Sequence, residues 1–136
     1  MIIKKGKDIP FSNKFYTDLY YVYKDDNIFN GIDFEIIKNF SSHRASYILS
    51  VSSFIYEVDA DNENKVISYV SYRLDSFSRP ILYFAYTVKD HRNKGLIKGL
   101  INKLEVDSYS DLKVSFVGSN PMKFGGKTVK FMRCGV

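Results

Sequence analysis

Thr87-Val88-Lys89-Asp90-His91-Arg92-Asn93-Lys94-Gly95-Leu96-Ile97-Lys98-Gly99-Leu100-Ile101-Asn102-Lys103-Leu104-Glu105 is the stretch on which the fold of this chain turns. It reads as the end of a strand, a short cation-rich turn, and an amphipathic helix. Leu96, Ile97, Leu100, Ile101 and Leu104 share one stripe, which predicts a helix from about Lys94 to Asp107. Arg92, Lys94 and Gly95 stand where the first N–H groups of that helix lack intrahelical acceptors. Free N–H groups, a positive helix end and nearby cations together suit an anion, most naturally phosphate.

Upstream, Pro80 opens a run from Ile81 to Val88 that is apolar on both faces and therefore central in a sheet. Strict alternation puts Tyr83 and Tyr86 of this run on opposite faces. Lys65 to Leu74 alternates as a strand, and Ser46 to Val58 reads as a long strand with a kink or bulge. The polar connections 59–64 and 75–79 are short, so the three strands form an antiparallel meander. Earlier still, Ile2 to Lys5 suits a short strand. Asn13 to Tyr23 has helical spacing, with Ser12 or Asn13 as cap, and a second helix starts at Asp33. Asn39 to Arg44 reads as a polar break.

Downstream, Leu112 to Val117 is a strand that reaches the run 81–88 only by a crossover, which makes a parallel βαβ unit. Residues 118–126, with Gly118, Pro121, Gly125 and Gly126, read as a loop, and Lys127 to Cys134 as a last strand. The expected fold is α/β (α+β): one domain over residues 1–136, with a mixed central sheet of about six strands and helices on both faces.

With 45 % hydrophobic residues in 136, the chain has material for a real core. No apolar run approaches the roughly 20 residues that cross a bilayer, and the first residues do not resemble a secretory signal. One cysteine, Cys134, excludes an internal disulfide and a cysteine metal cluster, and two histidines leave little for a metal site. A cytoplasmic protein without metal is expected. Lysine- and asparagine-rich usage without Trp hints at an AT-rich genome, as in many phages.

Charge is unevenly spread. Residues 1–88 carry 10 Lys/Arg against 11 Asp/Glu, whereas residues 89–136 carry 10 against 4. The net +6 of the second part suits a polyanionic ligand, either a nucleotide cofactor or a nucleic acid. A solvated lysine-rich surface is the plainer interpretation of the same numbers.

This order of strand, two helices, meander, helix and strand resembles the GNAT family of N-acetyltransferases. That family's cofactor signature is Arg or Gln, two residues, Gly, one residue, then Gly or Ala. Arg92-Asn93-Lys94-Gly95-Leu96-Ile97 is similar to it, and Tyr86-Thr87-Val88 and Lys98-Gly99-Leu100-Ile101 are similar to its flanks. The resemblance implies acetyl-CoA as co-substrate. Ala85, Tyr86, Thr87 and Val88 would then bind the pantetheine arm. Arg92, Asn93, Lys94, Gly95, Leu96 and Ile97 would cradle the pyrophosphate, and Asn120 would also touch the cofactor. The implied reaction is attack of an amine, on a small molecule or a protein, upon the thioester.

The sequence departs from the family in three ways. Ile97 replaces the usual Gly or Ala and could crowd a phosphate. Only 19 residues follow Val117, where the family places a helix and two strands, and no Tyr follows Tyr109. The run 81–88 holds no carboxylate. These departures support an alternative: a GNAT-fold module, phage-encoded in one version, that has lost acetyl transfer and binds a protein or nucleic acid through its basic second half. A sheet edge left open by the short tail would suit a homodimer.

Catalytic candidates are Tyr86 and Tyr83 on the central strand and Glu57 at the end of the first long strand. Glu57 or Asp59 would act as base through a water. Against these stand plainer roles: core tyrosines with bonded hydroxyls, and solvated turn carboxylates. Strand N–H groups such as those of Tyr86 or Val88 would stabilise an oxyanion. His43, His91 and Cys134 read as structural or exposed, and Gly99 as a point of close helix–sheet packing.

Overall fold

The computed structural model describes residues 2–25, 29–76, 78, 80–104, 113–114, 122–124 and 127–129. Strand β1 (Ile2–Gly6) leads to α1 (Ser12–Asp25) and α2 (Phe34–Val51). The meander β2 (Ser53–Val58), β3 (Val66–Leu74) and β4 (Pro80–Thr87) follows, then α3 (Leu96–Asn102) and β5 (Lys113–Val114). These five strands form one sheet in the order β1-β2-β3-β4-β5. All pairs are antiparallel except β4 with β5, which is parallel, as a crossover through α3 requires.

Helices α1 and α2 cover one face. Phe15, Leu19 and Tyr23 of α1 lie four residues apart and are buried with Phe54, Tyr69 and Phe84 of the sheet. Phe15 meets Phe54 edge-on at 5.2 Å and Phe84 at 5.9 Å, the geometry favoured by ring quadrupoles. On the other face Leu100 and Ile101 of α3 pack on Ile55, Val70 and Leu82. The expected helices on both faces and the antiparallel meander are therefore present.

Five expectations about elements need correction. There is no break at 39–44 and no strand from 46 to 51: α2 runs through both, capped by Asp33, whose carboxylate accepts from Glu35 N–H at 2.8 Å. Ile37, Ser41, Ala45 and Ile48 form its buried stripe, and Ser41 Oγ donates to the Lys38 carbonyl. Polar residues on this stripe made a helix look like a loop. The chain turns extended only at Ser52, whose N–H and hydroxyl both donate to Ile48 O.

Met122–Phe124 is a strand, β6, inside the expected loop. It pairs antiparallel with β7 (Lys127–Val129) in a ribbon separate from the five described strands of the central sheet. The sequence between these two strands is Gly125-Gly126, a hairpin signal that outweighs the loop composition around it. Helix α3 begins at Leu96, two residues later than expected. Finally, Tyr83 and Tyr86 share a face. Ser71 pairs with Phe84 and Tyr72 with Leu82, so Tyr83 is an inserted bulge residue that shifts the alternation.

Candidate active site

The end of β4 turns into α3 through an exposed elbow. Val88 N–H donates to Ile67 O at 2.9 Å, and Lys89–His91 make one 3-10 turn. Asn93 (φ 63°) and Gly95 (φ 72°) are left-handed. Asn and Gly are the residues that tolerate this conformation, so the elbow is written in the sequence. The first helical bond runs from Gly99 N–H to Gly95 O at 3.0 Å. The N–H groups of Leu96, Ile97 and Lys98 precede it and lie beyond the helix's own ladder.

Arg92 bends back over the strand end. Its Nε donates to Thr87 O at 2.8 Å, and its guanidinium lies 5.4 Å from the centre of the Tyr86 ring. The guanidinium has five N–H donors in all, so the Nη groups keep capacity for an anion. Lys14 Nζ lies 4.8 Å from the same ring centre. Two cations thus approach the Tyr86 ring, one from α1 and one from the elbow, which its π-system favours. Lys14 also bonds to Asp18, which accepts the Tyr69 hydroxyl at 2.8 Å. Burial, then the Asp18 charge, pushes the Tyr69 hydroxyl well above the usual tyrosine value.

β5 meets β4 at Ile81 and Leu82 among the described residues. The Val88 bond to β3 fixes the ladder's phase: Tyr86 N–H also turns toward β3, while the N–H groups of Ala85 and Thr87 turn toward the β5 side. The N–H groups of Tyr86 and Val88, the expected oxyanion donors, are therefore committed to the sheet, and those of Ala85 and Thr87 face away from β3. The sequence could not settle this, because strand alternation alone does not say which edge an N–H faces.

Ile97 does not crowd the elbow. It is half-buried and packs beneath α3 against Ile55, Val70 and Leu82. A Cβ added at Gly99 would meet nothing within 4 Å, so close packing does not account for this glycine. Asn120 and Cys134 lie outside the described residues.

Two candidates stand apart from the elbow. Tyr83 is 1 % exposed; its hydroxyl accepts from Arg73 Nε at 2.9 Å and is hydrogen-bonded with Tyr47. It is a core tyrosine, as its plainer role had it. Glu57 is buried rather than solvated, and its Oε2 has no hydrogen-bond partner among the described residues. It pairs in register with Ser68, which pairs with Thr87, and the Ser68 and Thr87 hydroxyls are 2.9 Å apart. A polar row thus runs from Glu57 to the strand end. Asp59 instead braces the β2–β3 turn, accepting from Asp61 N–H at 2.8 Å.

On the α1 side a groove of about 500 Å³ adjoins the elbow, lined by Lys14, Asn62, Asn64, Lys65, Val66, Val88, Asp90 and His91. Sequence reasoning passed over Lys14, Asn62, Asn64 and Lys65. No local pattern marks them, since β3–β4 pairing is what carries the turn to the end of β4 and helix packing is what brings Lys14 there.

No family model matches the chain, and no curated protein matches it in sequence. Solved structures match its fold. A Pyrococcus furiosus protein assigned as an acetyl transferase has a TM-score of 0.59 at 16 % identity, over 88 % of this chain and 84 % of its own. A Clostridium difficile 630 protein described as a possible acetyltransferase gives 0.51 at 14 % identity, over 88 % and 81 %. This is the GNAT fold.

Within the GNAT fold of this chain, the elbow after β4 combines three features at one place. They are N–H groups ahead of a helical ladder, the cations Arg92, Lys94 and Lys98, and strand N–H groups facing the β5 side. Among the described residues no helix is long and apolar enough to cross a membrane, and no group of His, Cys, Asp and Glu could hold a metal ion.

Proposed function

We propose that the protein is an N-acyltransferase that uses acetyl-CoA and delivers the acetyl group to an amine, acting in the cytoplasm. The observation that carries this is the elbow itself: left-handed Gly95 opens onto the first N–H groups of α3 beside a strand whose described β5 ladder ends at Leu82. Leu96, Ile97 and Lys98 N–H would receive the diphosphate, with Arg92, Asn93 and Lys94 around it. Ala85, Tyr86, Thr87 and Val88 would lie along the pantetheine arm.

The amine nitrogen would form the new C–N bond, the C–S bond would break, and the coenzyme would leave as its thiolate, which takes a proton from solvent. Ala85 or Thr87 N–H would hold the developing oxyanion, and fixed donors of this kind contribute about 3 kcal/mol each. The amine's surplus proton would pass through water around the strand end to the Thr87 and Ser68 hydroxyls, on the opposite face from Tyr86, and through water again to Glu57. Tyr86 would wall the acceptor side, and Tyr83 would support the strand from the core.

The test is thermal unfolding of the chain with and without acetyl-CoA. A ligand at about 100 times its Kd adds about 2.7 kcal/mol of stability, which raises the melting temperature by several degrees. Arg92→Ala should remove most of that rise. A flat response in the unmodified chain overturns the proposal. If DNA or RNA then binds with strong salt dependence, the basic second part has the other role its charge suits.

A further inference from the structure

The groove beside the elbow shares only Val88 with the coenzyme contacts above, and its chemistry is specific. Its floor is apolar, made by Val66 and Val88. One wall is the β2–β3 turn, held by Asp59 N–H to Lys65 O at 3.0 Å, Lys65 N–H to Asn62 O at 2.9 Å and Asn64 N–H to Asn62 Oδ1 at 3.1 Å. That wall is therefore preformed. With Oδ1 of Asn62 engaged inside the turn, its NH₂ group remains as a donor. Lys65 adds an ammonium on the same wall, and Lys14 adds another across the groove, one of its three donors engaged by Asp18. A single lining carboxylate, Asp90, stands on the elbow side.

We propose that this groove binds a small amine that also bears a carboxylate, with an aliphatic body between the two. The carboxylate matches the donors Lys65, Lys14 and Asn62, the amine matches Asp90, and the body matches the valine floor. A volume of about 500 Å³ suits a small molecule of this class. Val88 directly follows Thr87, so the bound amine lies beside the strand that would present the thioester. Resting on the acyltransferase proposal, this ligand is the acceptor; its binding, however, is measurable without coenzyme.

The probes are 6-aminohexanoate and n-hexylamine, which differ at the carboxylate end, titrated into the full chain by calorimetry. We expect 6-aminohexanoate to bind about tenfold more tightly, the size of one charge-assisted hydrogen bond. Lys65→Glu should erase that preference, Lys65→Arg should keep it, and Lys38→Glu, an exposed site on α2, should not matter. Circular dichroism of each variant checks that it folds. Equal binding of the two amines, no binding of either, or a preference that survives Lys65→Glu overturns the proposal. A preference that holds while acetyl-CoA fails to stabilise the chain supports the groove and removes the acyltransferase.

Discussion

The Tyr69 hydroxyl donates to Asp18 Oδ2 at 2.8 Å, joining the middle of the sheet to the first helix across 51 residues of chain. Tyr69 is fully buried and Asp18 nearly so, so each needs the other: an unpaired buried polar group costs about 1–3 kcal/mol. Asp18→Ala strands the hydroxyl and also frees Lys14, whereas Tyr69→Phe leaves Asp18 with Lys14. Urea denaturation should therefore show the larger loss, about 2 kcal/mol or more, for Asp18→Ala and about 1 kcal/mol for Tyr69→Phe.

The same pair sets a pH dependence. In the folded chain Tyr69 ionises well above its ordinary value of 10.0, chiefly through burial. Above that ordinary value the unfolded chain releases the proton and the folded chain holds it, so the folded state binds more protons and stability falls as pH rises. Tyr47 and Tyr72 are shifted in the same direction, mainly by burial. Urea midpoints should be flat below about pH 9 and decline steadily above about pH 10. Tyr69→Phe should flatten that decline, and an unchanged slope would show that other groups cause it.

Two glycines four residues apart should respond oppositely to alanine. Gly95 is left-handed, and its missing Cβ has open space around it, so Gly95→Ala is penalised by backbone conformation alone, by about 1–2 kcal/mol. Gly99 sits inside α3 with ordinary helical geometry and equally open space. Gly99→Ala should stabilise the chain by up to about 1 kcal/mol. Thermal melts of the two variants give the signs directly. Loss of stability at Gly99 would mean the helix packs more tightly than the structure shows.

What the sequence revealed and what it hid divide along a physical line. Residues 80–104 carried strand, elbow and helix legibly because each signal there is local: Pro80 at a strand start, Gly95 before a helix, a leucine–isoleucine stripe after it. Helix α2 was misread because Ser41 and Arg44 lie on its buried side, where periodicity expects apolar residues. The faces of Tyr83 and Tyr86 were misread because a bulge adds a residue without any compositional mark. The site divides the same way. Arg92 and Lys94 were found from a local pattern, while Lys14 and Lys65 meet the elbow only after helix packing and strand pairing bring them there.

Tyr83 offers a direct check on whether a buried strand tyrosine takes part in the chemistry. Its hydroxyl accepts from Arg73 at 2.9 Å inside the core, beneath Arg44 at 5.7 Å from the ring. Removing that acceptor in Tyr83→Phe should lower stability by about 1 kcal/mol. If the chain is the proposed acyltransferase and Tyr83 makes no transition-state contact, acetyl transfer, measured as thiol release with a saturating amine, should stay within a factor of about two, since a lost contact of about 1.4 kcal/mol would cost tenfold. A loss of a hundredfold would return Tyr83 to the catalytic set.

Glu57 should show the reverse pattern, less activity with no loss of stability. A buried carboxylate oxygen without a hydrogen-bond partner among the described residues is a burden on the folded state. Glu57→Gln keeps the shape, removes the charge and can donate to Ser68, its register partner. The variant should melt at the same temperature or higher. If Glu57 receives the amine's proton through Thr87 and Ser68, kcat should fall by about a hundredfold, the usual scale of general-base assistance, and acetyl-CoA binding should not change. Ser68→Ala breaks the same path at its middle and should give a loss of similar size. Stability that drops with Glu57→Gln while kcat holds would make Glu57 a structural group, and the proton would have to leave by another route.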